Sequence, residues 1–173
     1  MLVKLILASI IILSTASIGY ILAYRYVQRI YQLKNLYVSF QLLETEIIYA
    51  SNALPIAMLR VAEKSHKSIS EFFIETYKIL SSKAGYSAEE AWNKAINNHF
   101  INTALTNEDK ETLMDFGKNL GCTDKENQAK NFHLIYLQLK KQQEIAEGLR
   151  IKNEKMCKSL GVLIGIAIVV IFI

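Results

Sequence analysis

The sequence has few of the residues that interrupt helices or build catalytic sites. Its 173 residues include one proline and seven glycines, which favours long helices over a turn-rich β fold. The two cysteines, Cys122 and Cys157, form no C-x-x-C pair or disulfide framework, as expected of free thiols in a reducing compartment. No G-x-x-x-x-G-K-[ST] loop is present, so any energy-coupling activity has to come from another protein.

The charge is unevenly distributed along the chain. Hydrophobic residues make up 51% and charged residues 21% of the sequence, a balance that permits a packed core and argues against disorder. The net charge is +4, but residues 35–149 carry 12 basic and 15 acidic side chains, a net of −3. The central segment therefore lacks the basic surface of a nucleic-acid-binding protein.

The first apolar run extends from Leu5 to Tyr24 without a charged residue. At about 1.5 Å per residue a helix of this length spans roughly 30 Å, the thickness of a bilayer core. The alternative is a cleaved signal peptide with Lys4 as its basic start. A retained anchor is favoured because the run is long, the strong positive charge follows it, and no clear A-x-A-like cleavage site is present.

The second apolar run, residues 159–173, ends the sequence and is short for a membrane span, at about 22 Å as a helix. A buried helix is the alternative, but the run has no polar face. Gly161 and Gly165 are spaced to let another helix approach closely. The predicted division is an N-terminal transmembrane helix at 1–24, a helical domain at 25–158 and a C-terminal transmembrane segment at 159–173.

Basic residues predict the orientation of this arrangement. Seven of them flank the two apolar runs on the side of the central domain, against Lys4 and the amino terminus on the other. The positive-inside rule then places the central domain in the cytoplasm of a two-pass membrane protein. The flanking residues are Arg25, Arg29, Lys34, Arg150, Lys152, Lys155 and Lys158.

Apolar spacing predicts an all-α fold in which the first and last helices continue into the membrane segments. One stripe precedes a turn near Ser51, and Pro55 suits the first turn of a second helix that ends near Ser65. The two stripes on the long helices are Leu33, Leu36, Phe40, Leu43, Ile47 and Ala50, and Ile135, Leu139, Ala146 and Leu149. In the second helix we expect Ile56, Leu59 and Ala62 to face the core.

Capping signals predict where the later helices begin. Three S/T-x-x-E boxes and one looser box precede apolar stretches, and in each a hydroxyl and an acid satisfy free backbone N–H groups. The boxes begin at Ser68, Ser87, Thr123 and, in the looser form, Thr106. The resulting helices are 69–82, 88–99, 107–119 and 124–157, which completes a six-helix bundle. Phe72, Phe73, Tyr77 and Trp92 are expected in its core.

Neither a catalytic nor a metal site is predicted. Glu44 and Glu46 stand about 160° apart around a helix axis, so they cannot reach one substrate atom. They are interpreted either as solvated flanks of the apolar stripe or as a contact site for a basic partner. His66, His99 and His133 lie on separate predicted elements without ligand spacing. No cofactor is expected.

Several short stretches resemble the stage III sporulation protein AB family of endospore-forming bacteria. They are Leu43-Glu44-Thr45-Glu46-Ile47 with Tyr49 and Pro55; Gly117, Leu120 and Gly121 with Asp124 and Gln128; and the ending from Lys158 to Gly165. The resemblance covers essentially the whole chain in order and length. That family is similar in turn to the cytoplasmic domains of the inner-membrane platform protein of type II secretion and type IV pilus systems.

The resemblance implies a non-enzymatic role as a platform or adaptor subunit of a secretion-like channel between mother cell and forespore. The implied partners are a secretion-type ATPase of the same operon and other stage III sporulation membrane proteins. Platform proteins carry two such domains, so a homo-oligomer is an implied substitute for the second. A membrane-anchored regulator that localises or inhibits a cytoplasmic enzyme is the alternative. Candidate contact residues are Glu44, Glu46, Arg60 and Asp124.

Overall fold

A computed structural model describes residues 2–82, 84–121 and 124–172 of the chain. The described residues form six α-helices and no strand, which confirms the all-α prediction. The helices are α1 (Leu2–Glu44), α2 (Leu54–Lys64), α3 (Lys67–Ser81), α4 (Ala88–His99), α5 (Asn107–Lys118) and α6 (Lys125–Phe172). A π-helical segment, Thr45–Tyr49, follows α1, and a 3₁₀ turn, Phe100–Asn102, follows α4.

The chain divides into two compact units. Unit 1 combines Met1–Ile30 with Ile145–Ile173, and unit 2 is Tyr31–Glu144. The predicted membrane boundaries at 24/25 and 158/159 concern topology and stay a prediction.

An aromatic cluster forms the centre of unit 2. Phe40 of α1 contacts Phe73, Trp92 and Phe116, with ring centroids 4.7–6.1 Å apart and inclined edge to face. All four rings are buried, and the Trp92 indole N–H donates to the Leu113 carbonyl at 2.7 Å. The predicted core placement of Phe72, Phe73 and Trp92 is confirmed, and Tyr77 is half-buried.

The apolar stripes are confirmed in their central parts and wrong at some ends. Leu33, Leu36, Phe40 and Leu43 are buried, as are Ile135, Leu139 and Ala146, but Ala50 and Leu149 are exposed. In α2 the predicted face is displaced, because Ile56 is exposed and Leu59 is only half-buried. The buried residues there are Ala57, Met58, Val61 and Ala62.

Two of the four predicted caps are confirmed. Ser87 and Thr106 each accept from the backbone N–H three residues on, and Glu90 and Asp109 complete the reciprocal bonds. The box at Ser68 is wrong: α3 begins at Lys67, two residues earlier than predicted, and Ser68 Oγ bonds His66 Nδ1 at 3.2 Å instead. The box at Thr123 lies outside the described residues.

Unit 1 exposes large apolar side chains and places small residues at its helix contact. Ile6, Leu13 and Ile21 of α1 are each more than half exposed. Gly19 of α1 faces Gly161 of α6, where a Cβ added to Gly161 would meet the Thr15 carbonyl oxygen at 2.9 Å and Gly19 Cα at 3.0 Å. By length and composition α1 is able to cross a membrane; no second described helix meets the same criterion.

Candidate interaction surface at the end of helix α1

The chain leaves α1 through an unusual turn. The π-helical segment Thr45–Tyr49 ends at Ala50, and Ser51 adopts a φ of +51°, in the left-handed region that non-glycine residues seldom occupy. The Asn52 backbone N–H then donates to the Glu46 carbonyl at 2.9 Å and closes the turn. Such π segments and left-handed residues are frequent at functional sites.

Glu46 is held by two donors on the residues that follow it. Asn52 Nδ2 lies 2.6 Å from Glu46 Oε2, and Arg60 of α2 pairs with the same oxygen at 3.0 Å. The Glu46 side chain is 13% exposed and that of Arg60 is 50% exposed, so half of the guanidinium side chain remains accessible to a partner. The structure thus brings together two of the candidate contact residues that are 14 positions apart.

Glu44 turns towards a different helix. The Tyr136 hydroxyl of α6 donates to Glu44 Oε2 at 2.6 Å, and the Tyr136 ring packs against Tyr37 with centroids 5.1 Å apart. Burial raises the pKa of Tyr136, and the hydrogen bond to the Glu44 carboxylate raises it further. Glu44 and Glu46 therefore serve separate partners, and neither is a purely solvated flank of the stripe.

Asp124 and Lys125 lie beside this turn at the start of α6. Asp124 Oδ1 accepts from the Asn127 backbone N–H at 2.9 Å and so caps the helix. Lys125 Nζ donates to Ser51 Oγ at 2.8 Å, which ties the start of α6 to the left-handed residue after α1. The Asp124 side chain is exposed, and it also serves as the cap of α6.

Tyr49 completes the surface and was not singled out as a contact residue from sequence. Its side chain is 78% exposed at the end of the π segment, although tyrosine normally buries much of its ring. We call Glu44, Glu46, Tyr49, Arg60 and Lys125 the α1-end surface. It combines a carboxylate with an aromatic ring and a half-exposed arginine, and tyrosine and arginine are enriched among the residues that dominate binding energy in protein interfaces.

His66 and His99 line one cavity, although they lie on separate elements and have no ligand spacing in the sequence. The cavity, of about 510 Å³, also includes Glu71 and Lys67. His99 lies 3.9 Å from Glu71 and 4.0 Å from Glu75. The α2–α3 turn and the end of α4 bring these residues together, and no local spacing signals it. Across the part of the chain that the structure describes, no group of three or more His, Cys, Asp or Glu side chains is arranged to hold a metal ion.

The predicted membrane-flanking residues have mixed environments. Arg25, Lys34, Lys152 and Lys155 are exposed, as residues facing lipid headgroups would be. Arg150 pairs with Glu147 at 3.1 Å, and Lys158 pairs with Glu154 at 2.6 Å and lies over the Tyr20 ring. Arg29 differs from the expectation, since it is only 5% exposed and so does not reach outward.

Gly161 and Gly165 are buried in unit 1 against α1 of the same chain. A Cβ added to Gly165 would lie 3.0 Å from Ile12 Cα and would clash with Thr15 Oγ1. The helix that approaches these glycines is therefore α1.

Comparison with known proteins gives a consistent result. A family model described as stage III sporulation protein AB matches residues 4–173. Stage III sporulation protein AB of Bacillus subtilis (strain 168) is 31% identical over 168 residues, a match that covers 97% of this chain and 98% of that protein.

A solved structure of stage III sporulation protein AB is also similar. It shares 27% sequence identity with a TM-score of 0.68, and the match covers 72% of this chain and 98% of that one.

Proposed function

The chain belongs to the stage III sporulation protein AB family, and from that premise we propose that it is a non-enzymatic platform subunit of a secretion-like channel between mother cell and forespore. In this role residues 1–24 and 159–173 cross the mother-cell membrane around the forespore, and residues 25–158 face the cytoplasm. The central domain binds a secretion-type ATPase of the same operon and couples it to other stage III sporulation membrane proteins.

The exposed apolar side chains of unit 1 support the membrane part of this proposal. Ile10, Ile18 and Leu22 of α1 and Leu163 of α6 are each at least half exposed. In water this exposure is unfavourable by about 25 cal/mol per Å² of apolar surface, whereas lipid removes the penalty. The glycines at the α1–α6 contact are the small residues by which helices associate in a bilayer.

The observation that carries the contact role is the Glu46–Arg60 pair beside the exposed Tyr49. Because the Arg60 side chain is half exposed, a partner protein with charged groups of its own can contact this ion pair. The Glu46 carboxylate is held by Asn52 and Arg60, so little of its side-chain freedom is lost on binding.

Binding of the purified ATPase to the full-length protein in nanodiscs tests this function. We expect Glu46→Lys to weaken binding by about tenfold or more, because it removes an acid from the contact and leaves Arg60 without its partner. Glu111→Lys is the matched control: it makes the same charge change at an exposed residue of α5 and should bind as the unaltered protein does.

A charge-swapped variant separates contact from folding. Glu46→Arg combined with Arg60→Glu keeps an ion pair within the chain but exchanges the charges that a partner meets. We expect it to bind as weakly as Glu46→Lys. Full binding by both variants, or absence of binding by the unaltered protein, would contradict the proposal. Binding that abolishes ATP hydrolysis would favour the regulator instead.

A further inference from the structure

The cavity beside His66 and His99 is lined by polar side chains. Its volume of about 510 Å³ lies within the range of small-molecule sites, roughly 300–1,000 Å³. The lining comes from the start of α3 and from the end of α4 with the 3₁₀ turn: His66, Lys67, Ser68 and Glu71, and His99 and Asn102. These residues offer hydrogen-bond donors and one carboxylate to a small polar ligand.

Lys67 and Glu71 give the cavity charges of opposite sign. They are four residues apart on α3, a spacing that places their Cβ atoms about 5–6 Å apart on one face of the helix. Lys67 is exposed and the Glu71 side chain is 45% exposed, so both charged groups are accessible to a ligand. They form no ion pair with each other, and Glu71 lies 3.9 Å from His99 Nδ1, beyond hydrogen-bond distance.

Tyr31 locates the cavity at the end of unit 2 where the chain enters it. The Tyr31 ring stands edge to face against His66, with centroids 5.1 Å apart, and Tyr31 is the first residue of unit 2. The chain leaves unit 2 at the same end, since Gln143 Nε2 donates to the Leu33 carbonyl at 3.3 Å.

In the proposed topology this end of unit 2 is the one nearest the bilayer. Tyr31 follows the end of the first apolar run, Tyr24, by seven residues, or roughly 10 Å along a helix. The headgroup layer is itself about 5–8 Å deep. Tyr31 is 51% exposed, and tyrosine is enriched where a membrane meets water. Long side chains at the start of α3 are therefore within reach of lipid headgroups.

A phosphoethanolamine group matches the two charges of the cavity. Two carbons join its phosphate to its ammonium, so one group can pair with Lys67 through the phosphate and with Glu71 through the ammonium. A glycerol headgroup has no ammonium and leaves the Glu71 carboxylate facing the phosphate. The trimethylammonium of choline has no N–H to donate and is typically held by aromatic side chains, which are absent from this lining.

We propose that this cavity binds a phosphoethanolamine group, with Lys67 pairing with the phosphate, Glu71 pairing with the ammonium, and Ser68 and Asn102 offering hydrogen bonds. Phosphatidylethanolamine of the surrounding leaflet supplies this group in a membrane, and soluble phosphoethanolamine is the other source of the same chemistry. The lipid source rests on the proposed function, which anchors the chain in a bilayer; the chemistry of the contact rests on the cavity.

Native mass spectrometry of the full-length protein in detergent tests the site with three lipids of identical acyl chains. They are phosphatidylethanolamine, phosphatidylglycerol and phosphatidylcholine. We expect phosphatidylethanolamine to bind about fivefold more tightly than the other two, the size of effect that exposed ion pairs produce. Lys67→Gln and Glu71→Gln should each remove this preference. Glu71→Gln should also strengthen the binding of phosphatidylglycerol, because the carboxylate no longer repels its phosphate.

Lys118→Gln and Glu126→Gln are the matched controls. They make the same charge changes at side chains that are 63% and 80% exposed and line no part of the cavity, so both should keep the preference. Thermal unfolding shows whether each variant is folded. All four side chains lie at the surface, so the melting temperatures should stay within about 4 °C of the unaltered protein.

Soluble phosphoethanolamine separates the two sources of the ligand. If the three lipids bind equally but soluble phosphoethanolamine binds the unaltered protein and not Lys67→Gln, the headgroup chemistry stands and the membrane source is wrong. If neither form is preferred, or the preference survives both Lys67→Gln and Glu71→Gln, the site is overturned. ATPase binding in nanodiscs is measured independently, so failure of this site leaves the platform role standing.

Discussion

Unit 1 and unit 2 are both helical, yet they place their apolar side chains in opposite ways. In unit 2 the rings of Phe40, Phe73 and Trp92 are completely buried. In unit 1 glycines occupy the contact between α1 and α6, and large side chains such as Leu13 point outward. The proposed placement of unit 1 in the membrane accounts for this difference, since burial of large side chains drives folding in water and close contact of small residues drives helix association in lipid.

The largest expected effect lies in the aromatic cluster of unit 2. Phe40→Ala removes the ring that touches three others and should lower the free energy of unfolding by about 3–5 kcal/mol. Denaturant unfolding of the full-length protein in detergent, followed by fluorescence of Trp92, the single tryptophan, measures this. Ile101→Ala, at an exposed position, should change the free energy of unfolding by less than about 0.5 kcal/mol. Equal changes in the free energy of unfolding for Phe40→Ala and Ile101→Ala would show that the aromatic rings do not form the core.

A smaller effect is expected at the glycine contact of unit 1. Gly161→Leu places a side chain where backbone atoms of α1 lie within 3.0 Å of a Cβ, so the helices have to separate, at about 1–3 kcal/mol. Cys157 and a Leu22→Cys substitution, both in the α1–α6 groove, report this separation by oxidative cross-linking in nanodiscs, in a Cys122→Ser background. We expect Gly161→Leu to slow the cross-linking markedly.

Gly148→Leu is the control for this comparison. A Cβ at Gly148 meets nothing within 4 Å, so cross-linking should proceed at the unaltered rate. Unchanged cross-linking in Gly161→Leu would mean that the two helices do not depend on a close contact.

An effect of similar size to that of Gly161→Leu concerns one hydrogen bond in unit 2. Tyr136→Phe removes the hydroxyl that donates to Glu44 at 2.6 Å and should lower the free energy of unfolding by about 1.5–3 kcal/mol near pH 7. The pKa of Tyr136 is raised in the folded state, so this stabilisation is complete below the unfolded pKa of about 10 and declines at higher pH. Above a pH of about 10, the difference in free energy of unfolding between the unaltered protein and Tyr136→Phe should decrease by about 1.4 kcal/mol per pH unit. A pH-independent difference would argue against the bond.

Local signals in the sequence were sufficient to predict most helix boundaries. The boxes at Ser87 and Thr106 form because both members lie within one turn and need no other part of the chain. The box at Ser68 fails because a short turn at Ser65–His66 starts α3 earlier, and Ser70 Oγ bonds back to the Ala62 carbonyl at 2.7 Å. That turn depends on how α2 packs on α3.

The candidate surface was predictable only in part. Glu44 and Glu46 stand out in the sequence from their place beside the apolar stripe, but their partners Tyr136 and Arg60 lie on other helices. The bond from Tyr136 joins residues 92 positions apart, and that from Lys125 to Ser51 joins residues 74 apart. Neither hydrophobic periodicity nor a short motif predicts such pairs, because both describe residues that are close together in the sequence.

Cysteine labelling of the central domain in right-side-out membrane vesicles tests the central claim most directly. Ile101→Cys, at an exposed position of unit 2, is placed in a background with Cys122 and Cys157 replaced by serine. A membrane-impermeant maleimide should leave this cysteine unlabelled until the vesicles are opened, whereas cysteines added at either terminus should be labelled at once. Labelling of Ile101→Cys in intact vesicles, or recovery of the protein in the soluble fraction, would contradict a domain held on the cytoplasmic side by two membrane anchors.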